Sequence, residues 1–285
     1  MNNIVTRFML DELDIRGSIV QLSSAWQQII AGRNYPAPVS ALLGEMCAVS
    51  AIIAANLKQT GRLTFQLTGS GAISLLVIDC AEGLNLRGYA RHEASNTSET
   101  ALTELLGDGQ LLMSLDMEGA RQPYQSFVPI DGQTVAEVFE HYLAQSEQQP
   151  ATLYLFANAE QAVGLFLQKL PGADMKDEDG WNRAAHLAST VKAEELLTLD
   201  AASVLSRLFA EEVVRVFEPL SVRNEYPADR EKISAMLRSL GEAEVRRIVE
   251  EHGEVRIHDD LSNHEYHFTP EQALALFSLD KPTLH

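Results

Sequence analysis

The chain has 285 residues, 46% of them apolar and 22% charged, an ordinary globular mixture long enough to bury a substantial core in one or two domains. Its 40 Asp and Glu against 22 Lys and Arg give a formal charge of -18, a field that repels a phosphate backbone and excludes nucleic acid as a general partner. Only Cys47 and Cys80 are present, each inside an apolar run, which excludes a disulfide framework and a cysteine-rich metal motif.

In chain order, VTRFML and IRGSIVQL read as strands and SSAWQQIIAGRN as a short helix. The opening MNNIVTRFMLDELD carries acids where a secretory apolar region would lie. PVSALLGEMCAVSAIIAANLK predicts a long helix buried on most sides, whose uninterrupted apolar run of about ten residues is too short to span a bilayer. A cytoplasmic protein with no membrane partner is the expectation. RLTFQLTG alternates Leu63, Phe65 and Leu67, the period of a half-buried strand. AISLLVID and NLRGYARH flank AEG, a hairpin turn. TELLGDG predicts a helix, QLLMSLDM and PYQSFVPI two strands, and TVAEVFEHYLAQSE a helix with Val135, Val138, Phe139 and Tyr142 on one face. TLYLFANAE and AVGLFLQKL complete an α+β domain built mainly of hairpins.

GADMKDEDG, residues 172 to 180, has two glycines and four acids and marks a boundary. Beyond it WNRAAHLASTV, KAEELL and AASVLSRLFAEE are helical. The expected organisation is α+β: a mixed strand and helix domain over residues 1–172, a helical linker over 173–220, and a small helix–hairpin domain over 221–285. No signature of a serine hydrolase, phosphate loop or dinucleotide site occurs, so the chain does not read as an enzyme. Cys47 is a poor nucleophile, because a thiol in an apolar helix has its pKa raised.

IRGSIVQL, YPAPVSALLGE, LKQTGRLTFQLTGSG and LRGYAR, followed by LLGDG, PYQSFVPIDG, HYLAQSEQQP, KAEELL and SVLSRLFAEE, form an ordered series over nearly the whole chain. The series resembles the 33 kDa heat-shock chaperone family, the redox-regulated holdases of bacteria. The resemblance implies an α+β domain, a linker that binds unfolding clients, and a C-terminal redox switch in which CxC and CxxC motifs hold one zinc. In this sequence the four thiol positions align with Asn224, Tyr226, Asp259 and Ser262. All four thiolates are replaced, so no metal is expected and the family's zinc is taken as absent. RIHDDLSNHEYHF keeps His258, Asp259, His264 and His267 as N and O donors, but strand alternation sends His264 and Tyr266 to one face and His267 to the other.

Structural zinc contributes about 10–16 kcal/mol of apparent binding energy in small domains, so its loss must be offset. Ile233, Met236, Leu237, Leu240, Val245, Ile248 and Val249 supply two apolar helix faces, and Val255, Ile257, Tyr266, Phe268, Leu274, Leu276 and Phe277 can pack against them. The linker offers Leu187, Val191, Leu196, Leu197, Leu199, Val204, Leu205, Leu208 and Phe209 as client-binding residues; in a closed state the same residues would pack on the N-terminal domain. The expectation is an ATP-independent holdase without a thiol switch. Its partners would be unfolding proteins and downstream ATP-dependent chaperones, and a homodimer is compatible with the sequence. An adaptor for one folded partner is the alternative.

Overall fold

The computed structural model describes residues 3–57, 61–93 and 101–277. β1 (Ile4–Leu10) and β2 (Ile15–Leu22) form a hairpin, followed by α1 (Ser24–Ile30) and α2 (Ala37–Asn56). Pro38 lies in the first turn of α2, where its missing N–H would lack a helical partner anyway. β3 (Gly61–Thr68), β4 (Ile73–Ala81) and β5 (Asn85–His92) meander, and α3 (Leu102–Leu106) leads to β6 (Gln110–Met117) and β7 (Tyr124–Val128). α4 (Val135–Ser146), capped by the Thr134 hydroxyl accepting from Glu137 N at 3.2 Å, precedes the hairpin β8 (Ala151–Ala157) and β9 (Ala162–Lys169). Then come α5 (Ala173–Lys176), α6 (Gly180–Ser189), α7 (Ala193–Thr198), α8 (Ala201–Leu208), β10 (Val214–Val216) and β11 (Leu220–Ser221). The remaining elements are α9 (Arg230–Leu240), α10 (Glu242–His252), β12 (Val255–Asp259), β13 (His264–Phe268) and α11 (Pro270–Ala275).

The strands make an antiparallel sheet in the order β10-β1-β2-β9-β8, with β11 also pairing β1, and a second in the order β5-β4-β3-β6-β7. α2 lies between them and packs on β8 and β9 of the first and on β4 and β5 of the second. That position explains a helix apolar almost all round, since it has no solvent side to make polar. By length and composition α2 could cross a bilayer, but its apolar residues are spent on the core between the sheets. Gly44 lets α2 approach β8: a Cβ there would sit 2.4 Å from the Ala157 Cβ.

The chain divides into two compact units, one running to Glu225 and one starting at Tyr226. Residues 173–220, expected as a linker, lie inside the first unit. The acidic stretch 172–180 contains the short helix α5 and is tied down by Lys169–Asp174, Lys176–Asp14 and Arg183–Asp177 ion pairs.

The second unit has its own core of Ile233, Leu237, Val245, Val255, Tyr266, Phe268 and Ala273. Three expected members are corrected. Met236 is 41% exposed and Leu240 50% exposed, because α9 turns Ile233, Ser234 and Leu237 inward instead. Leu274 is half-buried outside the cluster, and its neighbour Ala273 takes the buried position on α11.

Candidate functional site

The first sheet is apolar on both faces, and strand alternation sorts its residues between them. Val20 and Leu22 of β2 and Phe166 of β9 face the α2 core. Phe8 and Leu10 of β1, Ile15 and Ile19 of β2, and Val163, Leu165 and Leu167 of β9 belong to a separate cluster on the opposite face. β9 is therefore buried along nearly its whole length, as its continuous apolar run AVGLFL requires.

What covers the second face is the segment α6 to α8. On α8, Ala201, Val204, Leu205 and Leu208 recur at helical spacing and are all buried. All nine residues expected to bind clients lie in this one cluster: Val191, Leu196, Val204, Leu205, Leu208 and Phe209 are buried, and Leu187, Leu197 and Leu199 pack partly buried at its margin. In this closed arrangement they are core. The Phe209 ring lies 6.0 Å from Phe8, centroid to centroid. Phe8 in turn occupies the space above Gly17, where a Cβ would come within 2.1 Å of the ring. Fully burying such large apolar side chains contributes about 1.5–3 kcal/mol each.

Polar contacts pin the cover. Gln21 Nε2 donates to the carbonyls of Leu199 at 2.8 Å and Leu196 at 3.3 Å. Asp200 caps α8 by accepting from Ser203 N at 2.8 Å, which helps hold its carboxyl below the usual range. Arg183 donates to Asp177 and Glu212, both at 2.8 Å, and its guanidinium lowers the Asp177 pKa. These pairs are partly solvent-exposed and each contributes little alone. β10 and β11 then fasten the end of the segment to β1, with Phe217 N donating to Arg7 O at 2.9 Å and Arg215 forking onto Asp11 at 2.6 and 2.8 Å. The sequence reading missed both strands; the β-branched VVRV was the available signal.

The four positions that the resemblance aligns with thiols take part in other interactions. In the first unit, Asn224 Nδ2 donates to Leu86 O at 2.7 Å. In the second, Asp259 accepts from the N–H groups of Leu261 and Ser262 at 3.1 and 3.3 Å and from the Ser262 hydroxyl. Burial alone would raise the Asp259 carboxyl, but the hydrogen bonds from Ser262 and Leu261, with Lys232 nearby, hold it low. Tyr226 lends its carbonyl to His264. This donor set does not fit a zinc ion: it has no thiolate or imidazole at the four positions, and its amide and hydroxyl are engaged elsewhere. Among the described residues no group of three or more His, Cys, Asp and Glu side chains is arranged to hold a metal.

Cys47 and Cys80 are both free and buried. Burial, with Cys80 adding to it, pushes the Cys47 thiol far up; burial and the neighbouring Asp79 charge push Cys80 up to about 12. Burial of this kind disfavours the thiolate that oxidants attack.

Two antiparallel sheets around a central helix, a helical cover and a separate helix–hairpin unit define an α+β protein. The same fold is found in the crystal structure of the 33 kDa chaperonin (heat shock protein 33 homolog) of Thermotoga maritima, with a TM-score of 0.80 and 22% identity over 98% of this chain and 100% of that one. The family model described as Hsp33 protein matches residues 3–269, and the chain belongs to the Hsp33 family. Relatives named 33 kDa chaperonin include those of Shewanella baltica, 39% identical over 95% of this chain and 94% of the relative, and of Shewanella loihica, 37% identical over 96% of both.

Proposed function

We propose that this chaperone is an ATP-independent holdase whose client-binding surface is the apolar face of α6 to α8, released from the first sheet without a zinc or thiol switch. The observation that carries the reading is the single buried cluster joining Val191, Leu196, Val204, Leu205, Leu208 and Phe209 to the sheet. Lifting the cover exposes two complementary apolar surfaces at once, and exposed apolar area is what an unfolding protein binds. The buried thiols and the replaced zinc ligands support a trigger other than oxidation. Elemental analysis of purified protein should find no stoichiometric zinc.

Light scattering of several unrelated heat-denatured proteins, with and without peroxide, tests the reading. Suppression of aggregation across the set, unchanged by peroxide, is expected. Suppression that appears only after peroxide would refute the thiol-free gate. Binding to one folded partner with no suppression would make the protein an adaptor instead.

A further inference from the structure

In the second unit, strand alternation points His264, Tyr266 and Phe268 of β13 to one face. Each of the three meets the segment that begins the unit. His264 donates its Nε2–H to the Tyr226 carbonyl. The Tyr266 hydroxyl accepts from Asp229 N at 2.9 Å. Arg230 lies over the Phe268 ring, 4.0 Å from its centroid, and donates to His267 O at 2.9 Å and Gln272 Oε1 at 3.1 Å. Asp229 also caps α9 by accepting from Lys232 N at 2.9 Å, so fixing residues 226–230 fixes the start of that helix. At the His264 end of the hairpin, Asp259 and Ser262 close the turn between β12 and β13 through their own hydrogen bonds.

We propose that this ladder is a protein-only clasp. It joins the 226–230 segment to the β12–β13 hairpin, the joining that the family resemblance assigns to a zinc ion. Asp259 and Ser262 are thereby parts of a working turn and not relics of a metal loop. The proposal rests on the reading that the protein is gated without zinc or thiols, and it goes beyond that reading by naming the residues that hold the second unit together without a metal. A clasp of hydrogen bonds and a stacked guanidinium yields to heat and denaturant and is indifferent to chelators and peroxide.

Hydrogen exchange on the full chain tests it, following peptides over residues 226–232 and 255–268. Tyr266→Phe keeps the ring and removes only the hydroxyl; His264→Ala removes the contact to Tyr226. Each should speed exchange over 226–232 roughly two- to tenfold, the effect of one lost hydrogen bond, while residues 3–225 stay unchanged. A metal chelator should leave the unaltered protein's exchange as it is. Unchanged exchange over 226–232 in both variants would show that the apolar core alone holds the segment. Chelator-induced opening of the unaltered protein would show that a metal holds it. Either result overturns the clasp. Peroxide-dependent client binding alongside the expected exchange pattern would instead overturn the gating reading and leave the clasp in place.

Discussion

Glu45 is a carboxyl on the central helix between the two sheets, and burial pushes it up to about 7. Its folded pKa is therefore above its unfolded value, so its favourable contribution is complete below about pH 4.5 and is lost as pH rises through 7. Glu45→Gln should remove this dependence. Urea unfolding at pH 5 and pH 8 should show the variant gaining stability over the parent protein at the higher pH, by at most about 3 kcal/mol. An equal difference at both pH values would place the carboxyl in water. The two cysteines give a second prediction. Because both thiols are buried and burial pushes their pKa values up, a Cys47→Ser, Cys80→Ser double variant should keep its aggregation suppression and its indifference to peroxide. It should lose on the order of 1–3 kcal/mol per site from burying a hydroxyl in an apolar setting. A folded double variant that has lost an oxidant response present in the parent would show that a cysteine senses.

At the scale of elements, the cover on the first sheet is the part to weaken. Gln21→Ala removes both side-chain bonds to the carbonyls of Leu196 and Leu199 and should loosen α7 by about 1–2 kcal/mol. Aggregation suppression should then begin at a lower temperature than in the parent protein, measured by light scattering with one client over a temperature series. An unchanged onset would mean that α7 does not move. The elements themselves were largely legible in the sequence. The alternation of RLTFQLTG, the continuous run AVGLFLQK and the apolar length of α2 each state a burial environment, because periodicity is imposed by the surfaces an element faces. β10 left only the faint β-branched signal of VVRV and β11 none, since two or three residues acquire strand geometry only by pairing with β1, some two hundred positions away in the chain. The outward turn of Met236 and Leu240 was hidden for a related reason: helical spacing shows that a face exists, and packing decides where its centre lies. The clasp of the second unit had no sequence signal either, because half of it is backbone, the Tyr226 carbonyl and the Asp229 N–H.

For the whole molecule, the division after Glu225 sets two cores of very different size. The first unit buries α2 and two sheets; the second rests on a small cluster and its clasp, and small cores leave only a few kcal/mol of net stability. The surplus of 18 negative charges favours solubility when apolar surface is uncovered and a sticky client is held. Local opening below the global unfolding temperature is thus the physical basis of the proposed gate. The most direct measurement is hydrogen exchange of the full chain at rising temperature, with aggregation suppression followed in parallel. Residues 180–209 and 226–277 should lose protection as suppression appears, while residues 37–56 and the strands of the second sheet stay protected and peroxide changes neither. Complete suppression with residues 180–209 still fully protected, or loss of protection throughout the first unit in one step, would contradict release of the cover as the event that exposes the client-binding surface.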